Sequence, residues 1–303
     1  MIYRRRYREA LWVDAVNPTH QELNGLADEL RFHPAVVEEL ASPSLKSRVE
    51  LYDQYLFLIL HFPAVKLSHR DSIQEIDFVI GRDFVVTVRY DTVDAIDAFG
   101  KILEVKSILD RGPREHPAGY IFFGITQEIY HSLLSELEYV GNWIAKIEEG
   151  IFAGREREMV MALSEVSRTL LNFKKATDFH NEILTSLHDL GKKVFDEHFS
   201  YHVERLLDEY HKVRHVLNGD IDSVAELRET NDSLLSTKQN EVMKVLTIVA
   251  FIALPLSLIT SLLQIDAVSR PIIGRPNDFW IILAALLALG VLLFAYFKHK
   301  KWL

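Results

Sequence analysis

The hydrophobic residues of this chain concentrate in two long stretches towards its C-terminal end. Residues 243–263 hold no acidic side chain and a single basic one, Lys244, and residues 279–297 hold no charged side chain at all. A helix needs about 20 apolar residues to cross the roughly 30 Å hydrocarbon core of a bilayer. One such stretch could be a buried core helix, but two in succession predict a transmembrane hairpin with spans at about 243–263 and 279–297.

The remaining residues show two different patterns. Up to about Leu109, β-branched and aromatic runs alternate with short helical patterns, and the turn at residues 81–83 between two such runs predicts a hairpin. Beyond Gly119 the spacing of the apolar residues is helical throughout. We therefore predict a cytoplasmic α/β domain, a helical bundle with a stalk, and a transmembrane domain, at residues 1–119, 120–241 and 242–303.

Three long helices are predicted after Gly119, ending near Gly154, near Gly191 and inside the first span. The third would run from about Asp196 to Leu263, which is roughly 100 Å at 1.5 Å per residue. Its apolar positions recur at threes and fours, which predicts a packing stripe of the coiled-coil type. We expect this stripe to contact copies of itself or the two preceding helices, and we expect a homo-oligomer. The stripe comprises Val203, Leu206, Tyr210, Val213, Leu217, Val224, Leu227 and Leu234.

Composition and charge narrow the possible partners. The chain has 43 acidic and 34 basic residues, a net charge of −9, and no cysteine. Disulfides, thiolate metal sites and a cysteine nucleophile are therefore excluded, and no nucleic-acid footprint is present. The N-terminal residues do not resemble a signal peptide, and the basic cluster after the second span indicates a cytoplasmic C-terminus. We expect a multi-pass protein of the cell (inner) membrane, with both termini cytoplasmic and the lipid bilayer as a partner.

Catalytic motifs are missing from the sequence. It contains no phosphate-binding glycine loop, no nucleophile elbow and no HExxH motif, so we expect no enzyme activity. His198 with His202, and His211 with His215, have the one-turn spacing that can hold a transition metal. No third ligand accompanies either pair, which favours solvated or interfacial histidines over a metal site.

The polar residues of the first span share one helical face, whereas the second span has no polar residue before Tyr296. In lipid, such a face marks contact with other helices. In a ring of identical helices it would line an axial pore. We therefore predict a pore, with a simple hairpin anchor as the alternative. The face comprises Asn240, Met243, Thr247, Ala250, Leu254, Ser257 and Ser261.

Two blocks of the sequence, residues 12–40 and residues 237–263, TKQNEVMKVLTIVAFIALPLSLITSLL, carry a resemblance to a known family. The first resembles the N-terminal block of the CorA family of magnesium channels, and the second is very similar to that family's pore helix. The basic tail at residues 300–303 is also similar. The resemblance implies a CorA-like funnel of five subunits, in which an α/β cytoplasmic domain is followed by long stalk helices and a C-terminal two-helix transmembrane region.

The resemblance also implies roles for individual residues. Asn240 would form a ring at the cytoplasmic mouth of the pore, Leu254 a hydrophobic constriction, and Ser257 a hydroxyl ring further out. Divalent ions bound between cytoplasmic domains close members of the family, and Glu204 and Asp208 on the stalk are candidates for binding them. The pore-lining residues implied in this way are Asn240, Met243, Leu246, Thr247, Leu254 and Ser257.

The outer end of the first span departs from the family. Where the family has Gly-Met-Asn, this chain has Gln264, Ile265 and Asp266 as an outer filter. A ring of Asp266 would offer carboxylate oxygens to a hydrated metal ion, whereas the loss of the glycine removes an easy backbone turn. The following loop is neutral, with two aspartates and two arginines, and the family's loop is usually acidic.

The sequence therefore predicts a homopentameric channel or transporter for a divalent metal cation, gated by a hydrophobic constriction. The ion would be Mg²⁺ or a transition metal such as Co²⁺, Ni²⁺ or Zn²⁺. The alternative is a membrane protein of the same fold that does not conduct Mg²⁺. It would act as a channel of other selectivity or as a membrane-anchored interaction protein.

Overall fold

The computed structural model of the chain describes residues 1–44, 46–63, 73–109, 116–195, 197–265, 273–274 and 277–300. They belong to two compact units, Met1–Arg228 and Glu229–Leu303. The strands within the described residues are β1 (Ile2–Tyr7), β2 (Ala10–Val16), β3 (Arg48–Leu51), β4 (Tyr55–Pro63), β5 (Ile73–Gly81) and β6 (Phe84–Arg89). The helices are α1 (His20–Leu30), α2 (Pro34–Leu40), α3 (Asp94–Leu109), α4 (Pro117–Phe152), α5 (Glu156–Thr177), α6 (His180–Val194), α7 (Glu197–Leu263) and α8 (Asp278–His299).

The six strands form one mixed sheet in the order β1-β2-β6-β5-β4-β3. Neighbouring strands are antiparallel except β2 and β6, which are parallel. The predicted turn at residues 81–83 does connect two antiparallel strands, β5 and β6. The edge strand β1 pairs with β2 from Ile2 opposite Ala15 to Tyr7 opposite Ala10.

Helices cover both faces of the sheet. On one face α1 and α2 contribute Leu23 and Val36 to a core with Phe57 of β4 and Val79 of β5. On the other face α4 lies against β2, β5 and β6, while α5 and α6 lie against β4. Because both faces are buried, the central strands are nearly continuous hydrophobic runs, as expected for a sheet inside a three-layer domain.

Local sequence signals explain where several helices begin and end. Thr19 caps α1 and forms a reciprocal capping box with Glu22, and Pro34 occupies the first turn of α2. The second long helix that the sequence predicts is interrupted. Two residues, 178 and 179, separate α5 from α6, so the prediction of one continuous helix was wrong.

The long third helix is confirmed as α7. In the unit Met1–Arg228 its apolar stripe is buried, from Val203 to Leu227. The ring of Tyr210 lies 6.0 Å from that of His180 on α6, and Arg214 pairs with Asp178 at 3.0 Å. In this unit the stripe therefore packs against preceding helices of its own chain, which was one of the two predicted arrangements.

The unit Glu229–Leu303 contains the remainder of α7 and the whole of α8. Both helices are long and apolar enough to cross a membrane, with mean hydropathies of 2.4 and 2.6 in their most apolar windows. The two helices contact each other through Phe251 and Phe297, whose ring centroids are 6.3 Å apart. Ile248 of α7 and Phe297 are buried, whereas most other side chains of this unit are exposed.

Candidate functional site

The packing of α8 distinguishes two faces of α7 within the unit Glu229–Leu303. Most of the side chains that are buried or half-buried recur at helical spacing along one face, and the half-buried Thr247 and Thr260 lie outside it. That face comprises Ile248, Ile252, Pro255, Leu256, Ile259 and Leu263. At 3.6 residues per turn, the face that contains Leu254 points roughly half a turn away from them. The small and hydroxyl-bearing face of the first span is therefore the face that α8 leaves uncovered.

The predicted pore residues occupy that uncovered face. Leu254 is 69% exposed, and Thr247 is half-buried. Gln264 and Ile265 follow the end of α7 and are exposed, whereas Asp266 lies outside the described residues. The other predicted pore residues, all exposed, are Asn240, Met243, Leu246 and Ser257.

The threonine hydroxyls of the first span are bonded to their own helix. Thr247 donates its hydroxyl hydrogen to the carbonyl oxygen of Met243 at 2.7 Å, and Thr260 donates to the carbonyl of Ser257 at 2.8 Å. A hydroxyl has one hydrogen and two acceptor lone pairs. Because the hydrogen is used within the helix, each hydroxyl presents an oxygen acceptor to its surroundings, which suits the hydrogens of a hydrated cation.

Charged residues stand only at the inner end of this span. Glu241 and Lys244 are exposed, and no charged side chain follows until the end of α7 at Leu263. The uncovered face therefore offers apolar groups and oxygen acceptors but no fixed charge along its length.

The two acidic stalk residues predicted as metal ligands are exposed and one turn apart on α7. Glu204 lies 3.3 Å from Nε2 of His188 on α6. The next acid along the helix, Glu209, is buried and pairs with Lys212 at 3.1 Å. No group of three His, Asp or Glu side chains that could hold a metal ion occurs among the described residues. A metal at Glu204 and Asp208 stays a prediction that needs further ligands.

The histidine pairs on α7 differ in environment. The ring of His202 stacks on Phe123 of α4 at 4.8 Å. His211 and His215 are exposed. The interpretation of the two pairs as solvated or interfacial histidines stays a prediction.

A polar cluster that sequence analysis missed lies within the α/β unit. Glu75 of β5 stands directly opposite His61 of β4 in the antiparallel register, and Nε2 of His61 is 2.9 Å from Oε2 of Glu75. Asp77 is two residues further along β5, on the same face as Glu75. It is fully buried and accepts a hydrogen bond from the hydroxyl of Tyr90 at 2.8 Å.

Burial and close charges shift the pKa values in this cluster. Loss of solvent, with the neighbouring charge of Glu75, raises the pKa of Asp77 well above its usual value. Burial disfavours protonation of His61, but its hydrogen bonds to Glu75 and to the Ser44 carbonyl outweigh burial and raise its pKa. Burial and the charge of Asp77 likewise raise the pKa of Tyr90. The cluster therefore holds protons more tightly than its isolated groups would.

A cavity of about 840 Å³ adjoins the cluster. His61, Glu75 and Tyr90 line one part of it, and Lys175 and Phe179 line another. One sequence signal could have revealed the cluster. The run IQEIDFVIG has the length and composition of a buried strand, yet it places two acids on one face. Buried acids need partners, so they mark a polar site.

Comparisons with known proteins agree with this architecture. The profile of a family described as CorA-like Mg²⁺ transporter protein matches residues 8–299. The cobalt/magnesium transport protein CorA of Thermotoga maritima is 25% identical over 279 residues, covering 89% of this chain and 77% of the relative. The cobalt/magnesium transport protein CorA of Methanocaldococcus jannaschii is 23% identical over 305 residues, covering 97% and 91%. The solved structure of the CorA magnesium transporter from the same organism has a TM-score of 0.84 at 20% identity, covering 97% of this chain and 92% of that one.

Proposed function

Because this chain belongs to the CorA-like Mg²⁺ transporter family, we propose that it forms a membrane channel for hydrated divalent metal cations, assembled from five copies around a shared axis. Family membership makes it a membrane transporter rather than an enzyme. The ion would be Mg²⁺, as the names of its relatives suggest, or a transition metal such as Co²⁺, Ni²⁺ or Zn²⁺. Residues 1–119 and 120–241 would lie in the cytoplasm and residues 242–303 in the inner membrane, with both termini cytoplasmic.

One observation carries the proposal. The face of α7 that bears Asn240, Leu254 and Ser257 is left uncovered by α8, although it lies in a helix apolar enough to cross a membrane. Five copies of this face around an axis would give a ring of amides at the inner mouth, an apolar constriction and a ring of hydroxyls. The hydroxyl of Thr247, which already donates to its own helix, would add oxygen acceptors to the path.

The two ends of the first span would set the ion preference. Asn240 at the inner end would offer neutral oxygens and Asp266 at the outer end carboxylates, so the outer ring would attract cations more strongly. Mg²⁺ gives up its water reluctantly and is usually held through hydrated contacts. Oxygen rings that contact the hydration shell suit such an ion.

Reconstituted vesicles provide the test of transport. The full-length protein in liposomes should admit Mg²⁺ or one of Co²⁺, Ni²⁺ and Zn²⁺ faster than protein-free liposomes, as read by an ion-sensitive dye inside. The order of rates for these four ions identifies the preferred cation. If none enters faster than in empty vesicles, the proposal fails and a membrane-anchored interaction protein is favoured.

A substitution at the constriction tests the position of the gate. Leu254→Ser should raise basal flux, because a smaller polar side chain lets water remain at the narrow point. Lowering the barrier by on the order of 1.4 kcal/mol raises flux about tenfold. Leu287→Ser is the matched control, because Leu287 is 62% exposed on α8, which we assign to the lipid. Equal flux in the two variants would show that Leu254 does not line the path.

A further inference from the structure

We propose that His61, Glu75 and Asp77 form a proton-dependent latch, which holds Ser44 and Ser47, between α2 and β3, against the sheet and releases them when protons are lost. The latch lies in the unit Met1–Arg228 and is a conformational device of the α/β domain. It does not depend on the channel assignment, because its contacts are all made within that unit.

Four hydrogen bonds fasten Ser44 and Ser47 to titratable side chains. The backbone N–H of Ser44 donates to both carboxylate oxygens of Glu75, at 2.9 and 2.7 Å. Nε2 of His61 donates to the carbonyl oxygen of Ser44 at 2.9 Å, and Nδ1 of His61 is 2.8 Å from Oγ of Ser47. The position of Ser44 therefore depends on the protonation of two neighbouring side chains.

Asp77 makes the cluster sensitive to proton loss. Its carboxyl is completely buried beside Glu75. When Asp77 is neutral, the pair carries a single negative charge, which the His61 cation and the Ser44 N–H balance. When Asp77 is ionised, two carboxylates face each other without water, which is strongly unfavourable. The repulsion is relieved if Glu75 moves away, and that movement breaks its bonds to Ser44.

Two basic groups near the cluster do not provide a substitute counter-charge. Arg48 is already engaged with Glu39 at 2.6 Å and Glu50 at 3.4 Å. His180, which donates to the backbone carbonyl of His61, has its pKa lowered to about 4 by burial and is neutral. The remaining titratable groups beside the cluster or its cavity are Tyr90, Asp91 and Lys175.

Release of Ser44 and Ser47 would widen the neighbouring cavity. Ser42, Pro43 and Ser44 line the cavity of about 840 Å³ together with Glu75. If opening releases one proton, the ratio of open to closed molecules rises by up to about tenfold for each unit of increase in pH. The latch would thus open as pH rises and close as pH falls.

Hydrogen–deuterium exchange of the full-length protein in detergent tests the latch. Peptides that contain residues 41–47 are followed from about pH 6 to pH 9, with protection corrected for the pH dependence of intrinsic exchange. Wild-type protection should fall with rising pH, by up to about tenfold per pH unit across the transition. Asp77→Asn is similar in size and cannot ionise, so its protection should fall less steeply with pH than that of the wild type, through the loss of the His61 proton alone. Asp91→Asn removes a carboxyl from the same cavity and should behave like wild type.

A second variant keeps the proposal testable if Asp77→Asn does not fold. Tyr90→Phe removes the hydroxyl that stabilises ionised Asp77, so the fall in protection should move to higher pH. The proposal is overturned if wild-type protection is constant over the range. It is also overturned if Asp77→Asn keeps the wild-type transition, or if Tyr90→Phe leaves it in place or moves it to lower pH.

Discussion

Arg89 at the end of β6 offers a sharp test of how burial governs an ion pair in this fold. Its Nη2 lies 2.8 Å from Oδ2 of Asp14 and 2.5 Å from Oδ1 of Asp97, and its Nε lies 3.3 Å from Oδ1 of Asp14. Thr87 also donates to Oδ1 of Asp14, at 2.8 Å. The side chains of Arg89 and Asp14 are only 3% and 2% exposed. The network joins β2 and β6 to the start of α3.

The substitution Arg89→Met would leave the carboxylate of Asp14 buried without a counter-charge. Removing one partner of a buried pair costs about 3–5 kcal/mol of folding free energy. Arg4→Met is the matched control, because Arg4 forms a two-pronged pair with Glu29 at 2.8 and 2.6 Å. Those side chains are 46% and 42% exposed, so solvent screening limits the expected loss to about 0–1 kcal/mol.

Urea unfolding of the full-length protein in detergent, followed by tryptophan fluorescence, measures both variants. With a slope of about 1–3 kcal/mol per molar urea, Arg89→Met should lower the midpoint by about 1–5 M. Arg4→Met, measured with the same slope, should shift it by less than about 1 M. Adding Asp14→Asn to Arg89→Met should recover part of the loss, because the buried charge is gone. Equal shifts for the two single variants would refute the reasoning from burial.

Three further predictions concern His180, Gly124 and Gly25 in the same unit. His180 is buried with its pKa lowered to about 4 from 6.5, so the stability it confers is full above about pH 6.5 and is lost as pH falls to about 4. The loss is about 3 kcal/mol, and His180→Gln should flatten this part of a plot of urea midpoint against pH. Gly124→Ala would place a Cβ 2.3 Å from the ring of Phe99 and should lower thermal stability by about 1–3 kcal/mol. Gly25→Ala on α1 meets no atom within 4 Å and should raise it by about 0.5–1 kcal/mol.

The large elements of the fold could be predicted because they repeat a simple pattern over many residues. Helix α7, which contains the first span, and the second span are so long that their prediction does not depend on any single residue. The shorter features were harder to predict. Strand β1 has the sequence IYRRRY, with three arginines in a row, and does not resemble a hydrophobic strand. It nevertheless forms an edge of the sheet, where charged side chains can remain in solvent.

The break between α5 and α6 also has no clear local signal. Asp178 and Phe179 follow an uninterrupted helical pattern without glycine or proline. Tertiary contacts explain the position of this break better than the helix propensities of its residues do. Asp178 pairs with Arg214 of α7 at 3.0 Å, and the cap of α6 positions His180 to donate to the carbonyl of His61 at 2.8 Å. Neither partner is near in sequence, so periodicity alone cannot reveal the break.

The cluster around Asp77 escaped prediction for a related reason. In the sequence, the apolar residues around Glu75 and Asp77 are compatible with a buried strand and also with a half-buried one, on whose exposed face acids are common. The sheet order decides between the two, because it places β5 at the centre with both faces covered. Once the strand is placed there, both acids need partners, and the register supplies His61 directly opposite Glu75.

In the unit Glu229–Leu303, the packing of α7 against α8 gives information that hydrophobicity alone does not. Hydrophobicity alone does not indicate which side of a membrane helix meets lipid and which meets a neighbouring helix. Here α8 covers the apolar face of Ile252 and Ile259 and leaves the face of Leu254 and Ser257 open. A hairpin that served only as an anchor would gain most by bringing its small and hydroxyl residues against its partner helix, where close packing and hydrogen bonds stabilise it. The opposite arrangement is the one expected if other copies of α7 are to meet that face, and it supports the proposed pore more directly than the hydrophobicity of either span.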